Sequence, residues 1–131
     1  VPRAAARVAR FDFADLCNRP LGAADYLALT EHFHTLFLEA VPVLAPNRRN
    51  EARRFMTLID ALYERRMMLF VSAAAPAEAL YPAGDGAFEF RRTVSRLLEM
   101  QSHTWLQACR QRRPDELPQT FAPYALTSDL N

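Results

Sequence analysis

Apolar residues along this chain recur with two periods, and each change of period marks the edge of an element. Phe55, Leu58, Ile59, Leu62 and Tyr63 fall at i, i+3, i+4, i+7 and i+8. That spacing puts them on one face and predicts an amphipathic helix over residues 51–66. Asn50 is placed to cap its start and Glu51 suits the positive end of its dipole, while Arg65 and Arg66 suit the negative end. On either side lie short apolar runs of strand length, Thr35–Val41 and Met67–Ala73, the first closed by Pro42. Strand, helix and strand of these lengths predict a βαβ unit, with adjacent parallel strands and a right-handed crossover.

Elsewhere the pattern is shorter. Val8, Arg10 and Asp12 alternate with Ala9, Phe11 and Phe13, which predicts a strand within residues 5–13. Gly22 opens a helix over 23–33, with Tyr26, Leu27, Leu29 and Phe33 on its apolar side. Residues 42–50 read as a loop, 76–81 as a helical turn and 82–86 as a second loop. One long last helix is expected from Thr93 to about Arg112, with Val94, Leu97, Leu98, Gln101, Trp105 and Ala108 along one side. The fold class is α/β, with residues 1–113 as the folded portion. Residues 114–131 form a Pro-containing tail, expected to be ordered only where it lies against the rest.

Composition narrows the function classes. The chain has 131 residues, half of them hydrophobic, enough for one modest core. A formal net charge of +1 gives no drive towards nucleic acid or an anionic membrane, so no nucleic-acid partner is expected. All 16 basic residues are arginine. No apolar run reaches the ~20 residues a bilayer-spanning helix needs, and no secretory signal is visible. Val1 is not an initiator methionine, which fits a piece of a longer protein. Cys17 and Cys109 are expected to be reduced and to pack as small hydrophobes.

The candidate chemistry concentrates in residues 89–102, Glu-Phe-Arg-Arg-Thr-Val-Ser-Arg-Leu-Leu-Glu-Met-Gln-Ser, which follow a Gly-containing loop. Arginines held on a helix reach phosphate oxygens with a planar, bidentate fork. Arg92 and Arg96 are four apart and share a face. The competing role is structural, an ion pairing with Glu89 and Glu99 that pins the helix start. Asp60 reads as a partner for arginine rather than a magnesium ligand, and Thr93 and Ser95 as groups that bond nearby backbone. His32 and His34 have no Cys or acidic cluster to complete a metal set, so no metal site is expected. Ser72 has no His–acid pair to make it a nucleophile. Phe37, Phe55, Phe70 and Trp105 read as core.

Three segments carry a resemblance. Residues 13–26, Phe-Ala-Asp-Leu-Cys-Asn-Arg-Pro-Leu-Gly-Ala-Ala-Asp-Tyr, contain an F-x-x-L-C-x-x-P-L-G-A-x-D-Y pattern. Residues 53–64 read R-R-F-x-x-L-I-D-x-L-Y-E, and residues 88–101 read F-x-F-x-R-T-x-S-R-L-x-E-M-Q. In this order they resemble the ATPase-family-gene-one-like family of AAA+ type P-loop ATPases, a bacterial cell-division ATPase and its mitochondrial relatives among them. What is missing is the Gly-rich phosphate loop: the chain contains no lysine and three glycines, Gly22, Gly84 and Gly86. The resemblance therefore implies the C-terminal portion of such an ATPase, not expected to hydrolyse ATP unaided. It implies that Arg92 and Arg96, and more weakly Arg54 or its neighbour Arg53, serve as phosphate-sensing or finger arginines in the same subunit or across an interface. ATP and Mg2+ would be cofactors of the full-length protein, with none bound by this stretch alone and its cofactor-binding residues unassigned. The partners implied are the N-terminal part of the same ATPase, further copies of it, and division proteins. The implied location is the cytoplasm, at the division site on the inner face of the membrane. The alternative is a non-catalytic protein-interaction module whose arginines are structural.

Overall fold

The two apolar runs flanking the amphipathic segment do pair side by side. The protein is described here by a computed structural model, which covers residues 3–5 and 7–112. Its elements are β1 (Arg3–Ala5), β2 (Val8–Asp12), α1 (Phe13–Cys17), α2 (Ala23–His32), β3 (Thr35–Val41), α3 (Arg49–Glu64) and β4 (Met68–Ala73). A 3-10 turn (Ala77–Ala79), α4 (Ala87–Glu99) and α5 (His103–Arg112) follow. The strands form one sheet in the order β1-β2-β3-β4. β2 runs parallel to β3, with Val8 opposite Thr35 and Asp12 opposite Glu39. β3 runs parallel to β4, with Thr35 opposite Met68 and Leu38 opposite Val71. The βαβ unit is thus a parallel pair bridged by α3, inside a mixed α/β fold with three parallel strands.

The β3–β4 register shifts after Leu38, so that Val41 faces Ala73. Ala40 takes up the slack at φ 59°, in the left-handed region, and its N–H donates to Ser72 Oγ at 3.1 Å. β1 is the antiparallel addition: Arg7, at φ 67°, turns the chain back so that Ala5 faces Val8.

The core follows the two periods. Ala9 and Phe11 of β2 and Leu36 and Leu38 of β3 are buried, while Arg10, Phe37 and Glu39 between them are only half-buried. From α3, Phe55, Leu58, Ile59 and Leu62 are fully buried, each contributing roughly 1.5–3 kcal/mol. α3 is the central helix, packed on α1, α2 and α4. Tyr26 of α2 is buried, and its hydroxyl donates to Leu16 O at 2.7 Å. Asp15 and Asp25 accept the backbone N–H of Asp12 and Gly22, tying down the starts of α1 and α2.

Several expectations are corrected. α3 begins at Arg49 after Arg48, so Asn50 lies inside the helix and is not its cap. Arg65 and Arg66 lie just past its end, where Arg66 adopts φ 53°. The single long C-terminal helix is two helices, and the first begins at Ala87 rather than Thr93. The earlier start lets Phe90 join the core against Phe55 and Tyr81. The break falls at residues 100–102, because Ser102 starts a new helix: its Oγ accepts the N–H of Trp105 at 3.1 Å and donates to Glu99 O at 2.8 Å. The buried stripe of α4 is Phe90, Thr93 and Leu97 with Met100 after it, while Leu98 is 51% exposed. The Pro-containing tail, 114–131, lies outside the described residues.

Candidate functional site

Helix α4 owes its position to the turn before it. Gly84 sits at φ 128°, where a Cβ would meet Tyr81 Oη at 2.7 Å and Pro46 Cα at 3.0 Å. The Tyr81 hydroxyl donates to Asp85 O at 2.6 Å. Gly86 then opens α4 at φ 87°, a left-handed conformation that a side chain would strain. From there Phe90 stacks on Phe55 of α3, with ring centroids 5.9 Å apart. This clamp sets the register of α4 along α3 and brings Arg92 and Arg96 over Asp60.

Both guanidiniums bond that one carboxylate. Arg92 Nη2 donates to Asp60 Oδ2 at 3.2 Å, and Arg96 Nη1 donates to Asp60 Oδ1. The two arginines differ in everything else. Arg96 is 21% exposed and lies over the Tyr63 ring, 4.5 Å from its centroid. Tyr63 in turn stacks on Trp105 of α5, 5.0 Å away and 21° from coplanar. The indole N–H donates to Met67 O at 2.8 Å. Arg92 is 66% exposed and borders a surface concavity of about 430 Å³ lined also by Phe88, Glu89 and Arg91. Phe88 is 75% exposed, with the Arg91 guanidinium 5.5 Å from its centroid.

The pairing expected for these arginines, with Glu89 and Glu99, is corrected: the carboxylate that holds them is Asp60. Glu99 instead accepts the Tyr63 hydroxyl at 2.9 and 3.0 Å, and that bond, retaining the phenolic proton, raises the Tyr63 pKa. Asp60 was legible as an arginine's partner, but nothing in the sequence marked it as shared between two. Tyr63 was legible only as core, though it lies three residues after Asp60, on the same side of α3.

Arg54 is engaged by a different acceptor. Its guanidinium donates to Cys17 O at 3.0 Å, closing the C-terminus of α1 against α3. Cys17 is fully buried there, and desolvation pushes its thiol pKa up to about 12 against the opposing pull of Arg54. Arg53 is 70% exposed and 4.0 Å from Asp85. His34 is buried with Nδ1 2.7 Å from Thr35 Oγ1, whereas His32 is exposed with its ring against Phe33. Among the described residues no three His, Cys, Asp or Glu side chains lie together as a metal set. Phe55 and Trp105 are core, and Phe37 and Phe70 stack on each other at 5.0 Å, half-buried on the sheet. Cys17 and Cys109 are both buried and form no disulfide.

The Arg92–Asp60–Arg96 triplet carries one excess positive charge, with Glu99 beside it on Tyr63, and Arg92 presents its guanidinium to solvent. Chemically, that exposed guanidinium suits an anionic group. Among the described residues, no helix is long and apolar enough to cross a membrane.

Comparison with known proteins adds the context. Residues 1–109 match the family model described as AFG1-like ATPase. The chain is 44% identical to the cell division protein ZapE of Escherichia coli K12 across 72% of its own length and 25% of that protein. It is 31% identical to Lactation elevated protein 1 homolog B of Danio rerio, across 79% of the chain and 27% of the relative. An uncharacterized protein of Schizosaccharomyces pombe is 30% identical, across 82% and 30%. The chain thus spans between a quarter and a third of the length of these relatives. No solved structure matches it.

Proposed function

The chain belongs to the AFG1-like ATPase family, and we propose that it is the C-terminal part of an AAA+ type P-loop ATPase. The whole protein would couple ATP binding and hydrolysis to remodelling of partner proteins in cell division. In this reading the Gly-rich loop, with its lysine and the Mg2+ ligands, comes from the N-terminal part of the same protein. The present chain supplies Arg92 and Arg96 towards the nucleotide phosphates, in its own subunit or a neighbouring copy. It works in the cytoplasm, at the division site on the inner face of the membrane.

The observation that carries the reading is the arginine pair itself. Arg92 and Arg96 stand on adjacent turns of α4, are drawn to one side by Asp60, and leave one guanidinium largely in water. A guanidinium aimed at charge developing on a transferring phosphoryl group is typically worth about 10³-fold or more in rate. Arg54, whose guanidinium is engaged by a backbone carbonyl, has lost the freedom such a role requires. Of the two arginines that begin α3's match to the family pattern, Arg53 is the exposed one.

The test is ATP turnover by the intact parent protein with Arg92→Ala or Arg96→Ala. A fall of roughly a thousandfold in kcat with little change in nucleotide affinity is the expected result for at least one of them. The second reading, an interaction module with structural arginines, is favoured by the Asp60 pairing, since a carboxylate already satisfies both guanidiniums. It requires normal turnover per folded molecule and a lowered Tm in both variants.

A further inference from the structure

We propose that Asp60 is the positioning residue of the arginine pair: it keeps Arg96 as a fixed post and lends Arg92 as an exchangeable arm to a phosphate-type anion. The inference rests on the reading that the pair faces nucleotide phosphates, and it assigns the two arginines different jobs.

The asymmetry comes from what each guanidinium would lose by leaving. Arg92 is tied to Asp60 by a single bond at 3.2 Å and is 66% exposed. An ion pair that open contributes little, because water replaces the contact. Arg96 has its bond to the other carboxylate oxygen and its stack on Tyr63, itself backed by Trp105, and is 21% exposed. Detaching Arg96 would undo contacts among three helices, α3, α4 and α5.

Asp60 would also fare differently in the two cases. It is only 33% exposed, so stripping it of all partners would leave a poorly solvated carboxylate. When Arg92 departs, Arg96 still neutralises it. When Arg96 departs, the remaining partner is the weakly held one. A second guanidinium on one carboxylate is therefore a spare, and the spare opens on the concavity beside Phe88 and Arg91. A phosphate group there, carrying more negative charge than a single carboxylate, competes with Asp60 for Arg92.

The experiment is a titration of the 131-residue chain with inorganic pyrophosphate, followed by NMR of the arginine Nε–Hε signals and by emission from its one tryptophan. The Arg92 signal is expected to shift saturably while the Arg96 signal and Trp105 emission hold still. Arg92→Gln should weaken binding roughly tenfold, and Arg91→Gln, which removes the same charge, clearly less. Asp60→Asn should tighten pyrophosphate binding several-fold, because the competing carboxylate is gone. Movement of Arg96 together with Trp105 emission overturns the proposal, as does equal weakening by Arg91→Gln, which would mark a diffuse basic patch. Absence of any arginine shift overturns it too. The functional reading is judged separately by parent turnover, which needs no binding to this chain alone.

Discussion

Helix α3 meets its neighbours at two junctions that use arginine in opposite ways. At the α1 junction, Arg54 reaches across to a buried backbone carbonyl at Cys17, and the guanidinium ends as part of the packing. At the α4 junction, Arg92 and Arg96 converge on a carboxylate that is one-third exposed, and one of them stays in water. The residue type is the same and so is the helix. What differs is the acceptor: a carbonyl at the end of a short helix needs a donor it can keep, whereas a carboxylate with two suitors can release one. Arginine richness therefore says nothing about function until the acceptors are known.

Phe55 ties the two junctions together, with Phe13 of α1 at 5.8 Å on one side and Phe90 of α4 at 5.9 Å on the other. Phe55→Ala should loosen both at once and cost about 3–5 kcal/mol, the largest effect expected of these variants, read from urea unfolding. If only the α4 side responds, as seen by Trp105 emission with α1 intact, the two junctions are less coupled than the ring contacts imply.

The α1 junction should also answer to pH. With its folded pKa raised from 9.0 to about 12 by burial, the Cys17 thiol keeps its proton where the unfolded chain gives it up. The stabilisation is fully present below about pH 9 and is lost as pH rises towards the folded value. Burial of Tyr26 raises its pKa in the same sense. Cys17→Ala should flatten this alkaline decline, and a Tm series against pH for both proteins measures it.

Single arginine removals then rank the contacts. Arg54→Ala and Arg96→Ala should each cost about 1–3 kcal/mol, by loss of a charge-assisted bond in a part-buried setting. Arg92→Ala should cost under about 1 kcal/mol. Equal costs for Arg92 and Arg96 would erase the distinction drawn between post and arm. The smallest effect is expected away from both junctions. Ala40→Gly should raise stability by roughly 0.5 kcal/mol, since relief of the left-handed strain outweighs the added chain entropy. A Tm that falls instead would show that Ala40 is held by more than its bond to Ser72.

Much of the fold was legible where one period ruled a long enough window. β3, α3 and β4 emerged within a residue or two, because five apolar positions of α3 leave no other face to bury. The start of α4 was not legible, because Arg91 and Arg92 interrupt the apolar pattern and hide that Phe90 belongs to it. The break before α5 did carry a signal, Ser102 three residues ahead of Trp105, but an unbroken helical period masked it. As for the site, Arg92 and Arg96 were marked by their spacing and by the family pattern. Their acceptor was not, since Asp60 lies 32 and 36 residues away in sequence. Arg54 was singled out for chemistry by sequence alone. Its engagement with Cys17 O depends on a helix end that no local pattern announces.

The strand order carries a consequence for how the chain is made. Because β1, β2, β3 and β4 sit in the sheet in the order in which they occur along the chain, every strand finds its neighbour already in place as it emerges. Among the described residues, each of these strands adds beside the one before it, and none has to be inserted between two others. The slow step for parallel sheets is closing the loop between partners, and here each closure spans a single crossover. Synthesis at about 5–20 residues per second leaves ample time for each closure before the next strand appears. The docking of α4 onto α3, and of α5 after it, follows the strands, so the arginine pair is assembled only after the scaffold beneath it has set.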